Sequence, residues 1–210
     1  MNTQSGLSWK DYMGKPINPI YREFPRNSIL SVLYMLKERG GKNIVEIGAC
    51  RMPLNHPLDE LHLECCLDSH STAYWTKDYL TVSIDIDPQT IANTVDICTA
   101  LGQEKNLVVW TGDGIAYLKR RMDPIDLLFL DAWDVNLEGS AERHLEAFKA
   151  AEQNLHEQSL VLIDDTDVDL VEDILVFADG VSGKGKLVIP YAVNRGWKVV
   201  FSGRQTLLSK

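Results

Sequence analysis

Short apolar runs that stop on acidic or small residues recur along the chain. They are Asn43-Ile44-Val45-Glu46-Ile47-Gly48, Thr81-Val82-Ser83-Ile84-Asp85, Leu107-Val108-Val109-Trp110, Asp126-Leu127-Leu128-Phe129-Leu130-Asp131 and Ser159-Leu160-Val161-Leu162-Ile163-Asp164-Asp165. Continuous runs of this length suit strands buried on both faces, as in a parallel sheet. Helical patterns separate them at 71–79, 91–101, 114–121 and 140–155, the last with Ala141, Leu145, Phe148, Ala151 and Leu155 on one stripe. An earlier stripe of Ile29, Leu30, Val32, Leu33 and Leu36 follows candidate caps at Asn27 and Ser28 and ends at Gly40-Gly41. Near the far end, 197–201 and 205–208 flank Ser202-Gly203-Arg204 and read as a hairpin. The alternation predicts an α/β fold. Its expected form is a doubly wound, mostly parallel, seven-stranded Rossmann-like sheet with helices on both faces and a C-terminal antiparallel hairpin.

The chain has 210 residues, 45% of them hydrophobic, which is enough for one sizeable core. The expected division is an irregular arm or lid at 1–26 and one domain at 27–210. The net charge is −9. Gripping a nucleic-acid backbone needs clustered Lys and Arg. The densest basic runs are only Lys119-Arg120-Arg121 and Lys184-Gly185-Lys186. Both read as solvated helix ends or loops, and no nucleic-acid partner is expected. No apolar run approaches the roughly 20 residues that span a bilayer, so no membrane partner is expected. The first twenty residues are polar and broken by proline, unlike a secretory signal. Cys50, Cys65, Cys66 and Cys98 then read as reduced thiols of a cytoplasmic protein.

In an open α/β sheet, ligands sit beyond the carboxyl ends of the strands where the strand order reverses. The residues there are Glu46 and Gly48, Asp85, Gly112 and Asp113, Asp131, and Asp164 with Asp165. Such an acidic rim repels phosphates and favours a cationic ligand with ribose hydroxyls. The first turn, Glu46-Ile47-Gly48-Ala49-Cys50-Arg51, lacks the G-x-G-x-x-G of dinucleotide sites, which argues against a nicotinamide cofactor.

These runs resemble the motifs of class I S-adenosylmethionine-dependent methyltransferases, and within them the chain is similar to the catechol O-methyltransferase-like branch. Val45-Glu46-Ile47-Gly48 resembles the first motif and Ser83-Ile84-Asp85-Ile86-Asp87-Pro88 the second, whose acidic residue holds the ribose. Thr111-Gly112-Asp113-Gly114 resembles the third, at the adenine, and Leu128-Phe129-Leu130-Asp131-Ala132-Trp133 the fourth. Leu162-Ile163-Asp164-Asp165 resembles the strand end that carries a metal pair. The resemblance implies S-adenosyl-L-methionine as cofactor, bound by Glu46, Gly48, Ser71, Thr72, Asp85, Gly112, Asp113, Asp131 and Trp133. Ser71 and Thr72 would meet the methionine carboxylate at a helix N-terminus. Asp131, Asp164 and Asp165 are candidate ligands for one Mg2+ or Ca2+. Under the alternative, Asp131 only contacts the cofactor and Asp164-Asp165-Thr166 begins a helix or turn.

Two departures stand out. Gly48 and Asp85 are 37 positions apart, against about 20 in a compact nucleotide-binding unit, which places an insertion at 51–68. Asp134 stands where the catechol enzymes carry a lysine base. Asp131, Asp134 and His144 are the candidate catalytic residues, with Asp134 or His144 as proton acceptor if no metal serves. His144 also reads as a structural histidine, and Trp133 as a core aromatic. Cys65-Cys66 with His56, His62 and His70 lacks zinc-site spacing. The expected reaction is methyl transfer to a hydroxyl of a small-molecule acceptor, a sugar or natural product; a homo-oligomer is compatible. The rivals are a non-catalytic cofactor-binding module and another nucleotide enzyme on this fold.

Overall fold

The computed structural model describes residues 25–53, 70–172, 174–178 and 180–210. The expected arm lies outside the described residues except at its last two positions. So do 54–69, which hold most of the expected insertion and Cys65, Cys66, His56 and His62.

Helix α1 (Pro25–Glu38) leads into β1 (Asn43–Ile47). Then follow α2 (Ser71–Trp75), β2 (Leu80–Asp85), α3 (Pro88–Ala100), β3 (Leu107–Thr111), α4 (Gly114–Arg120) and β4 (Ile125–Leu130). The rest is α5 (Ser140–Ala151), β5 (Leu155–Ile163), β6 (Val168–Val171), β7 (Ile174–Phe177), α6 (Val188–Asn194), β8 (Lys198–Phe201) and β9 (Thr206–Ser209). Seven strands form one sheet in the order β3-β2-β1-β4-β5-β9-β8. The first five are parallel, and β9 enters antiparallel between β5 and β8. The order reverses between β1 and β4, which makes the switch point of a doubly wound sheet.

Alternation along β4 explains the continuous apolar runs. Leu128 and Leu130 face Ile115 and Leu118 of α4, Phe148 of α5 and Ile189 of α6. Leu127 and Phe129 face Ile29, Val32 and Leu36 of α1 and Trp75 of α2. Both faces are therefore dry, as parallel strands require. At a fully buried side chain, roughly 1.5–3 kcal/mol of transfer free energy favours this arrangement.

Several expected boundaries move. Asn27 and Ser28 lie inside α1 rather than capping it, and Ser28 is buried. The helix still ends at Gly40, whose φ is +70°. Leu155, assigned to the stripe of the preceding helix, instead opens β5 after a 3-10 turn at Glu152–Asn154. β3 is a sheet edge, so Val108 and Trp110 are exposed rather than buried on both faces. The two-stranded ribbon of β6 and β7 and helix α6 have no counterpart in the hydropathy pattern. Among the described residues, no helix is long and apolar enough to cross a membrane.

Candidate active site

The carboxyl ends of β1, β2, β3 and β4 surround a cavity of about 240 Å³ at the switch point. Gly48, Asp85, Gly112, Asp113 and Asp131, from the strand ends, line it together with Trp133 and Asp134. Arg51, Ile86, Leu137 and Arg143 line it as well and carried no signal in the sequence. The Asp85 carboxylate accepts from the backbone N–H of Ala49 at 3.1 Å and of Asp87 at 2.9 Å. These bonds fix its orientation at the rim. Asp113 caps α4 by accepting from Ala116 N at 2.8 Å. Trp133 sits at φ +45°, and the Ser140 hydroxyl donates to its carbonyl at 2.6 Å.

Glu46, Ser71 and Thr72 do not line this cavity. Glu46 is fully buried and collects the hydroxyls of Ser71, Thr72 and Ser83 together with the indole N–H of Trp75. The two hydroxyls expected at the cofactor carboxylate are thus turned onto a protein carboxylate, which ties α2 to β1 and β2. Burial pushes Glu46 up to about 7, against the four hydrogen bonds that favour its charged form.

His144 is not among the residues lining this cavity. It lies in α5 with Nδ1 2.7 Å from the Ser140 carbonyl, and its ring meets Trp133 edge-on with centroids 5.2 Å apart. Burial, reinforced by the charge of Lys184, pushes it down to about 4. It is therefore a neutral prop for Trp133 at ordinary pH.

Glu46 and His144 make opposing contributions to acid stability. Glu46 titrates higher folded than its ordinary 4.5. Its contribution is full below 4.5 and is lost as pH rises through about 7. His144 titrates lower folded than its ordinary 6.5, so its contribution is full above 6.5 and is lost as pH falls through about 4. Comparing Glu46→Gln with the wild type isolates the first effect. The variant is expected to gain relative stability on the order of 3 kcal/mol between pH 4.5 and 7. Urea unfolding across that range checks this; parallel stability curves would contradict it.

A second cavity of about 510 Å³ adjoins the first. Val168, Leu175, Val176 and Phe177 of the β6–β7 ribbon line it, with Asp165, Arg204 and Asp134. Asp134 faces both cavities, and Arg51 Nη1 holds its two oxygens at 3.0 Å each.

Asp131, Asp164 and Asp165 do converge, with one oxygen of each within 4.8 Å of the others. The ammonium of Lys184 stands among them, 2.7 Å from Asp131 Oδ1, 3.1 Å from Asp165 Oδ2 and 3.9 Å from Asp164 Oδ2. Arg204 Nε reaches Asp165 Oδ1 at 3.2 Å, and Gln205 donates to Asp164 at 2.8 Å. Lys184, read from sequence as a solvated loop cation, has no exposed surface. Burial disfavours its charge, but the Asp131, Asp165 and Asp164 carboxylates outweigh that and raise its pKa. Burial, with Asp131 and Asp165 beside it, pushes Asp164 well up. Asp165 is held below its usual range by Lys184 and Arg204 despite burial. These residues as arranged do not fit a divalent ion, because a protein cation holds its place.

The strand order and the closing antiparallel pair give the chain the fold seen in solved class I methyltransferases. No family profile and no curated protein sequence matches the chain. Solved structures do. The Streptomyces achromogenes O-methyltransferase TomG, in complex with S-adenosylmethionine and involved in tomaymycin synthesis, superposes with TM-score 0.59 at 16% identity, covering 87% of this chain and 79% of its own. A Bacillus cereus O-methyltransferase in complex with S-adenosylhomocysteine gives 0.60 at 13%, covering 88% and 81%. An S-adenosylhomocysteine-bound methyltransferase of Podospora anserina gives 0.56 at 16%, covering 87% and 77%.

Proposed function

We propose that the chain transfers the methyl group of S-adenosylmethionine to a hydroxyl oxygen of a small molecule. The observation that carries this reading is the pair of adjoining cavities with Asp134 on the wall of both. The first offers Asp85 for ribose hydroxyls and Asp113 near the expected adenine position, on an acidic rim suited to a sulfonium. The second is lined by apolar ribbon side chains with polar groups on its inner wall, which suits an acceptor with an apolar body and a hydroxyl.

The sulfonium carbon is already electrophilic, so the protein's main task is alignment. The acceptor oxygen attacks the methyl carbon. The carbon–sulfur bond breaks with its electron pair passing to sulfur, and the hydroxyl proton passes to the Asp134 carboxylate. The test is calorimetry with S-adenosylmethionine and with NAD, followed by a hydroxylated-acceptor screen using labelled methyl donor. Binding of S-adenosylmethionine without labelled product from any acceptor class would favour the non-catalytic module, and preference for NAD would overturn both. Asp85→Ala is expected to weaken S-adenosylmethionine binding by about 1–3 kcal/mol, the scale of a hydrogen bond to a charged group. Unchanged affinity in a folded variant would remove Asp85 from the ribose site.

A further inference from the structure

A lysine that is wholly buried against three carboxylates is unusual enough to require a reason, because an uncompensated buried charge is strongly destabilising. We propose that Lys184 is a permanent, covalently held substitute for a divalent cation, so that this chain positions its acceptor without a metal. The ammonium contacts Asp131 and Asp165 directly and faces Asp164. A hard divalent cation takes about six or more oxygens at roughly 2.0–2.6 Å. It cannot share these oxygens with an ammonium already at hydrogen-bond distance.

The local backbone is built for this placement. Gly183 has φ +48°, and a Cβ there would run into the Asp165 carbonyl oxygen. A Cβ on Gly185 would press on Ile189 and Thr166. The two glycines let the turn press against the end of β5, where Lys184 N donates to Asp165 O at 3.2 Å. Arg204 Nε also reaches Asp165, so two cationic side chains face the three carboxylates.

The consequence for the site follows from the two walls. Asp131 faces the first cavity and Asp165 the second. Lys184 bridges them from behind and fixes one against the other. It is a positioning residue, since it has no exposed surface and lines neither cavity. Its positioning role rests on the methyl-transfer reading; its exclusion of metal does not.

The experiment uses Mn2+ as probe on the full chain, with free Mn2+ read by electron paramagnetic resonance and folding read by thermal unfolding. The wild type is expected to take up no stoichiometric Mn2+ below about 10⁻³ M, the weak end of oxygen-ligand sites. Neither Mn2+ nor chelator should shift its melting temperature. Lys184→Ala should open the site, bind one Mn2+ at least about tenfold more tightly and be stabilised by it. One equivalent bound by the wild type, or a folded Lys184→Ala that binds no more tightly, overturns the proposal. If Lys184→Ala folds only with Mn2+, that rescue supports it; if it folds under neither condition, the wild-type titration decides. Turnover separates the two readings. Activity lost to chelation would overturn the lysine substitute and leave methyl transfer standing. A chain that turns over no acceptor but still excludes Mn2+ would do the reverse.

Discussion

Gly48→Ala is expected to abolish S-adenosylmethionine binding and to lower stability by about 3–5 kcal/mol, the sum of left-handed strain and overpacking. Gly48 has φ +98°, which an L side chain rarely adopts, and a Cβ there would overlap the carbonyl of Asp131. Neither partner can retreat. Gly48 N donates to the Ile84 carbonyl at 2.8 Å, and Asp131 N donates to the Ile47 carbonyl at 2.8 Å. Relief would have to prise β1 from β4 at the floor of the first cavity. Gly112→Ala is a milder control, since its Cβ would first meet the movable Trp110 side chain, at 3.0 Å. Urea unfolding and calorimetry on both variants check the contrast. Equal behaviour of the two would show that close approach at Gly48 does not shape the site.

Asp134→Asn is expected to reduce kcat by about 10²–10⁴-fold, the usual contribution of a positioned proton acceptor, with little change in S-adenosylmethionine affinity. The amide keeps an oxygen for Arg51 and nearly the same shape, but it cannot take the acceptor's proton. A loss confined to KM would instead make Asp134 a binding group. His144 offers no alternative route, because it stands behind Trp133 and away from both cavities. Unimpaired kcat in Asp134→Asn would leave the proton to another carboxylate of the second cavity, of which Asp165 and Asp167 are lining members.

The sheet was legible because both of its faces are covered. Runs such as Leu127–Leu130 have no polar side to confuse them, and each stops where the chain leaves the sheet for the ligand crevice. The β6–β7 ribbon was not legible. Its residues Ile174, Leu175, Val176 and Phe177 are apolar yet all exposed, and among the described residues it joins no other sheet. The strand-end acids were found because topology alone places them at the rim. Ser71 and Thr72 were assigned outward because a helix N-terminus attracts an anion. The group they meet is the Glu46 carboxyl, whose inward direction depends on the side-chain parity of β1. Lys184 was missed because charge pattern reports a lysine's neighbours in sequence, whereas its partners lie 19, 20 and 53 positions away. Its flanking glycines were the available signal.

The out-of-order insertion of β9 bears on how the chain reaches this state. Among the described residues, β8 pairs only with β9, and β9 pairs with β5 through Leu160, Val161, Leu162 and Ile163. Until Thr206–Ser209 docks, that apolar stretch of β5 presents a bare strand edge, the kind of template on which partly folded chains associate. β9 therefore guards against aggregation during folding, and its buried Leu207 and Leu208 supply the apolar surface that draws it into place.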